Sequence, residues 1–367
     1  MRAVRYHGRE DVRVDDVPEP VCGSGQVKLL PRGVWISHHP KIKPAFVGIC
    51  GSDLHEYMGG PHAVPRTPHP LTGEKLPTTL GHEFSGIIEE VGTDVTDLKV
   101  GDKVAVKPNL SDGTCRSCSM GRVNCCDQLG FIRYSGSAGG LSDHIVVDRK
   151  HAIQLPESIP LEIGALVEPL SVAWHAVNRS PLQKGDTALV IGAGPIGLAI
   201  VQVLRAREID TIIVVEVSKR RREFAATFGA SHILDPTEVD AVAEIRAITG
   251  DFKGASVAFE SSGVQAGLDT AMAGTRVRGT TVIVSLWEKK PVLDAIAVVL
   301  GEKHIAGAAV YDEGDFAGVI GAIESGKIQP QSMITSTIPM EEIVEKGFKA
   351  LIHEKDQHIK ILVDISA

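Results

Sequence analysis

An apolar run that ends in three glycines at fixed spacing constrains this chain more than any other feature. Thr187 to Ile191 reads TALVI, Gly192, Gly194 and Gly197 follow in GAGPIG, and a helix-forming stretch continues to Arg207. A strand that enters a glycine-rich turn and then a helix is the opening unit of a doubly wound parallel α/β sheet. Gly192 permits the tight turn, Gly194 lets a pyrophosphate approach backbone, and Gly197 lets helix and strand pack closely. Pro195 and Ile196 complete the loop at the helix N-terminus, where free N–H groups favour phosphate oxygens. Glu216, at the end of the next strand, is placed to accept both hydroxyls of an adenosine ribose. A carboxylate there repels a 2′-phosphate, so NAD(H) is expected over NADP(H). The run Lys219 to Arg222 tempers that reading, because a basic side chain such as Arg221 can seat a phosphate; its plainer reading is a solvated helical turn.

From Thr187 onward, apolar strands alternate with helices: strands at 211–217, 232–234, 255–260 and 280–284, helices at 197–207, 219–228, 239–249 and 266–272. That alternation predicts a parallel sheet covered on both faces. The first third reads differently, as short strands (1–6, 12–14, 27–30, 83–91, 103–106) separated by Gly-Asp and Gly-Thr-Asp turns. A further strand is expected over 141–147 and a helix over 161–178, broken by Pro169. At 367 residues the chain exceeds the size at which one core usually serves. The expected domains are 1–165, with a small cysteine lobe at about 108–130, then 166–315, with 316–367 partly returning to the first.

Charge and composition remove several function classes. The formal net charge is -8, which disfavours a nucleic-acid or anionic-membrane surface. The first fourteen residues are charged and lack an apolar signal core, and the most apolar windows hold glycines or are too short to span a bilayer. A soluble cytoplasmic protein with no membrane or nucleic-acid partner is therefore expected. Four of the six cysteines crowd into twelve positions, which points to a metal more than to bridges.

Two groups of residues have metal-ligand chemistry. The first is Cys50 in GICGSDLH with His82-Glu83 in LGHEFSG; thiolate, imidazole and carboxylate suit zinc, and Glu83 or Glu168 is available as the carboxylate. Spacing alone says little for this group, since a lone cysteine is commonly apolar filler. The second, Asp112, Cys115, Cys118 and Cys126, has the closed x2, x2, x7 spacing of a structural zinc site, with an aspartate in the first place. Cys125 is an alternative fourth ligand.

Together with KIKPAFVGICGSDLHEY, DGTCRSCSMGRVNCCDQLGF and ALVEPLSVAWHAV, these motifs resemble the zinc-containing medium-chain dehydrogenase/reductase family over nearly the whole chain, and its diol dehydrogenases in particular. The resemblance implies a GroES-like β-rich catalytic domain, a Rossmann domain, an active site between them, and a homodimer or homotetramer. It implies oxidation of a small secondary alcohol or vicinal diol, with sorbitol-like or threonine-like substrates and a turnover-less relative as alternatives. Carried over by motif, Cys50 and His82 hold a catalytic zinc, Glu168 binds it directly or through water, and Glu83 supports it or binds transiently. Ser52 bonds the substrate oxygen, His55 relays the proton and Asp53 orients the site. The family's first lobe cysteine is Asp112 here. A second departure is the segment 29–41, LLPRGVWISHHPK, without which the string would read GQVKIKPAFVGIC. It is either a loop grown between Lys28 and Ile42 or retained non-coding sequence, and its His38 and His39 are not expected to be ligands. Closure entropy grows slowly with loop length, so strand register can resume at Ile42.

Overall fold

The computed structural model describes residues 1–22, 39–136 and 138–367. They form two compact units, Met1–Glu168 with Gln331–Ala367, and Pro169–Pro330. The divisions of these units fall after 168 and 330. Helix Asp315–Glu324 stays in the second unit because its buried face, Phe316, Val319 and Ile320, is spent there. Its first residue is held by the same unit: Asp315 pairs with His175 Nδ1 at 2.8 Å and accepts from Asn178 at 2.8 Å.

The first unit is built from antiparallel strands. A sheet in the order 152–154, 103–106, 83–91, 40–48, 360–364, 334–339 carries the site, and a smaller sheet joins 11–16, 2–8 and 78–79. Strand Pro40–Gly48 begins before the expected restart at Ile42. Pro40 and Lys41 already pair with Val91 and Glu90, and a bulge absorbs the offset ahead of Ile42. The earlier part of the 29–41 segment, His38 and the expected strand 27–30 lie outside the described residues; His39 Nδ1 is 3.0 Å from Asp148.

Two expected elements are shorter or divided. The strand over 141–147 shrinks to Ile145–Val146, because Leu141 and Asp143 donate instead to the carbonyls of Leu80 and Arg2. The helix over 161–178 is two helices, Leu161–Gly164 and Val167–Asn178. Pro169 does not break it. It lies in the first turn of the second helix, where an N–H has no intrahelical partner anyway.

The second unit is a six-stranded parallel sheet in the order 232–234, 211–215, 187–191, 255–260, 275–283, 304–307. Counted within the unit this is 3-2-1-4-5-6, whose reversal lies beside the first strand and its glycine loop. Its core is aliphatic, with Leu189, Ile191, Ile213, Val215 and Ala258 packed together. The helix Ala295–Gly301 and edge strand His304–Gly307 were not expected. Ile296, Val299 and Leu300 of that helix are largely exposed, so its apolar run carries no amphipathic signal. Among the described residues no helix is long and apolar enough to cross a membrane.

Candidate active site and metal clusters

Three adjacent strands end at one place and carry the first cluster there. Gly48 pairs with Glu83 on one side and with Leu362 on the other. Antiparallel register therefore brings Cys50, His82, Glu83 and Lys360 to the same sheet edge, although their sequence positions are remote. Ligand atoms of Cys50, His82 and Glu83 lie within 4.8 Å of one another. Gly48 is required between them: a Cβ there would meet Glu83 Oε2, and would sit 3.3 Å from Lys360 Cδ.

The charges of this cluster are arranged in pairs. Lys360 Nζ, itself buried, donates to both Glu83 oxygens at 2.9 and 2.6 Å and to the Ile49 carbonyl. Burial is the largest influence on the Lys360 cation and works against it, yet Glu83, Cys50 and Glu168 together outweigh it and raise its pKa. Burial, followed by the Glu83 charge, pushes the Cys50 thiol up to about 12. Burial, then the cations of Arg133 and Lys360, holds the His82 imidazole well below its usual value. His82 is thus neutral, and its buried Nδ1 has no hydrogen-bond partner. A divalent cation fits this set, since it takes an imidazole lone pair and stabilises a thiolate that the bare site disfavours.

Ser52, Asp53 and His55 stand on the helix Gly51–Gly59 that follows Cys50. Asp53 Oδ2 accepts the Cys50 N–H at 2.9 Å and so fixes the start of that helix. Ser52 and His55 are half-buried and one turn apart. Glu168 is buried in the first turn of Val167–Asn178; it falls outside the 4.8 Å group, but its charge is felt at Cys50 and Lys360.

Two further residues belong here that motif spacing did not single out, Lys360 and Arg133. Arg133 is fully buried, 2.5 Å from Asp53 through Nε, and donates from Nη1 to Ser52 Oγ at 3.1 Å. Its guanidinium lies 3.3 Å from the centre of the Tyr134 ring, which in turn stacks on His82. An Ile-Lys-Ile at the start of the last strand and an Arg-Tyr in a glycine-rich turn carry no spacing signal, so only the sheet register and chain crossing reveal them.

The second cluster is local. Asp112, Cys115, Cys118 and Cys126 place their ligand atoms within 4.8 Å of one another. Cys125 is exposed and outside the group. Backbone N–H groups of Cys115 and Thr114 donate to Asp112 Oδ1 at 2.9 and 2.7 Å and hold its pKa down to about 2. Burial, then the neighbouring thiols, pushes Cys118 up to about 12. The Cys115 and Cys126 sulfurs are 3.9 Å apart, far beyond a disulfide bond. One carboxylate and three thiols converging on short turns fit a closed tetrahedral zinc site.

In the second unit, Gly192 takes φ +90°, and a Cβ on Gly197 would collide with the Gly192 carbonyl. Gly194 caps the helix Pro195–Ala206, with Pro195 at its first position; Gly192, Gly194, Pro195 and Ile196 remain partly exposed. Glu216 ends the second strand with its carboxylate accepting from Ala193 N at 2.7 Å and Ser218 N at 2.8 Å. Arg221 Nη1 lies 4.0 Å from where a Cβ on Gly194 would sit, beside the glycine turn. Arg222 is turned away, onto the carbonyls of Glu216 and Val217 and onto Asp235.

Known proteins share this arrangement. The family model of the alcohol dehydrogenase GroES-like domain matches residues 37–157, and that of the zinc-binding dehydrogenase matches 195–325. The chain is 41% identical to the (R,R)-butanediol dehydrogenase of Bacillus subtilis and 39% identical to that of Neisseria gonorrhoeae, covering 99% of each chain. The crystal structure of 2R,3R-butanediol dehydrogenase from Bacillus subtilis superposes with a TM-score of 0.89, again over 99% of both chains. A sheet-edge thiol and imidazole, a cysteine lobe and a glycine-loop α/β sheet, matched from end to end, make this chain an alcohol dehydrogenase of the zinc-containing medium-chain dehydrogenase/reductase family.

Proposed function

We propose that the chain catalyses the reversible NAD(H)-dependent oxidation of a small vicinal diol, 2,3-butanediol to acetoin, at Cys50 and His82. The observation that carries this is the convergence of a half-buried thiol and a buried imidazole with an unpartnered Nδ1, from segments 32 residues apart, in a chain whose full-length relatives are butanediol dehydrogenases. Cys50, His82 and Glu168 would hold one zinc ion, and Asp112, Cys115, Cys118 and Cys126 a second, structural one. Zinc supplies a Lewis acid that brings the alcohol pKa toward neutrality, and the nicotinamide accepts the hydride.

The chain's own groups do the remaining work. Ser52 Oγ takes the alcohol proton as it releases its own hydroxyl proton, which His55, one turn along the same helix, leads outward to solvent. Glu83, clamped by Lys360, braces the His82 strand instead of competing for the ion. Gly192, Gly194, Pro195, Ile196 and Gly197 seat the pyrophosphate, Glu216 the adenosine ribose, and Arg221 steadies a phosphate oxygen. Glu216→Ala is expected to weaken NAD binding about tenfold more than NADP binding; equal losses in a fluorescence titration would remove the ribose assignment.

A homodimer or homotetramer accords with the exposed Val292, Ile296, Val299 and Leu300 beside the edge strand His304–Gly307. The deciding experiment is zinc content per chain together with NAD-coupled rates on butanediol stereoisomers, sorbitol, xylitol and threonine. Two zinc ions and a preference for a butanediol are expected. A preference for sorbitol or threonine would move the assignment to a polyol or amino-alcohol branch, and no turnover at all would overturn it.

A further inference from the structure

Arg133 is the residue of this site that the scheme above leaves without a task. Its backbone takes φ +108°, a region that bulky side chains avoid. Such a conformation is strained and persists where the surroundings enforce it, commonly at functional sites. Here the surroundings are the turn that follows the cysteine lobe. Gly130–Phe131 pairs with Asn109–Leu110, Ile132 N–H donates to the Pro108 carbonyl, and Arg133 N–H donates to that of Ala138. The chain therefore drives this side chain inward beneath Ser52.

The guanidinium is only partly employed. Nε faces Asp53 Oδ1 at 2.5 Å, Nη1 donates to Ser52 Oγ at 3.1 Å, and the plane rests on Tyr134. Nη2 is buried and has no hydrogen-bond partner. An unmet buried donor is costly, and native structures keep one where a ligand or ordered water completes it. The neighbouring Cys50, Ser52 and Tyr134 are only half-buried, so the surface next to the guanidinium is reachable.

We propose that Arg133 is a specificity-determining residue, whose Nη2 donates a hydrogen bond to the second oxygen of the substrate, the one that is not oxidised. This rests on the reading of Cys50 and His82 as the centre of alcohol oxidation. Ser52 serves the reacting oxygen, and the same guanidinium that touches Ser52 then meets the adjacent oxygen of a vicinal diol or hydroxyketone. Asp53 already neutralises the Arg133 charge, so the group suits an uncharged oxygen and gives no preference for a 2-hydroxy acid. A site with a buried donor aimed at a substrate oxygen discriminates against an analogue that lacks it, because the donor is then left unpaired.

The test compares 2,3-butanediol with 2-butanol, which has the same carbon skeleton and one oxygen fewer, using the zinc-loaded full chain with NAD. The readout is the ratio of kcat/KM for the diol to kcat/KM for the mono-alcohol, with KM and kcat separated. Arg133→Met, close in shape but without donors, is expected to lower that ratio roughly tenfold or more, mainly through the KM of the diol. Arg133→Lys, which keeps a cation opposite Asp53, should restore part of it, and Arg133→Gly, which relieves the positive φ but leaves Asp53 unpaired, is a second donor-free variant whose fold is checked by its thermal midpoint before the ratio is read. Loss of both rates in equal proportion, or an unchanged ratio in Arg133→Gly and Arg133→Met, would overturn the proposal. If the wild type turns over neither alcohol, the oxidation scheme falls; the calorimetric affinity ratio of the two alcohols in the same variants then still decides for or against Arg133.

Discussion

The two cysteine clusters of the first unit reach a similar donor set by opposite routes. At the Asp112 lobe the ligands come from fifteen consecutive residues on short turns, and backbone N–H groups are what stabilise the carboxylate. At Cys50 they come from the ends of separate strands, are largely buried, and are stabilised by side-chain charges such as Lys360. A local site needs few tertiary contacts and can pin a lobe that has little core of its own. A site at a sheet edge depends on register, and in return it gains a low-dielectric setting in which a charge has large effects. The first arrangement suits holding a shape, the second suits chemistry.

The sharpest way to break that contrast is to exchange one ligand at each cluster. Cys50→Ser is expected to lower kcat by more than about a thousandfold, a loss of some 4 kcal/mol in the barrier, while NADH affinity in a fluorescence titration changes less than twofold. Full diol oxidation by this variant would remove Cys50 from the chemistry. Cys126→Ser should instead lower zinc affinity at the lobe by at least roughly 10–100-fold, read by metal analysis, and depress the thermal midpoint. Its kcat should fall far less than that of Cys50→Ser. Equal kinetic losses would erase the distinction between the sites.

Lys360→Met probes the charge pairing that only the buried cluster has. Removing one partner leaves the Glu83 carboxylate unpaired, and breaking such a pair typically costs about 3–5 kcal/mol. Urea unfolding should show that loss, and the double variant Lys360→Met with Glu83→Gln should recover much of it. No recovery would mean that Lys360 acts through packing rather than charge.

The smallest effect concerns acid. In zinc-stripped protein the folded His82 refuses a proton that the unfolded chain accepts below its ordinary value near 6.5. Stability from this group is therefore present at neutral pH and declines as pH falls below that value. Asp112, held down to about 2, keeps its contribution until pH falls below the ordinary 3.8 and loses it on the way to 2. Unfolding midpoints between pH 8 and 2 should show two separable arms, and His82→Asn should abolish only the upper one. A single arm near pH 4 would show that His82 titrates normally.

The chain's order along the sequence settled a good deal without coordinates. Gly192, Gly194 and Gly197 act through the backbone freedom of a turn, and Asp112 to Cys126 through a spacing that a few turns convert into a tetrahedron. Both are local physics, legible in residues a few positions apart. The helix Ala295–Gly301 was hidden because its apolar residues face outward, against the amphipathic pattern that marks a surface helix. Pro169 misled because a proline that breaks a helix interior is harmless in a first turn. What only the tertiary structure decided was the company kept by Cys50. The antiparallel register of Gly48 with Glu83 and with Leu362 set Lys360 beside the Cys50 and His82 that the motifs had already paired, and an enforced positive φ at Arg133 aimed a buried guanidinium at Ser52. Strand pairing and chain crossing act between residues 314 positions apart, as for Gly48 and Leu362, and no spacing along the chain records them.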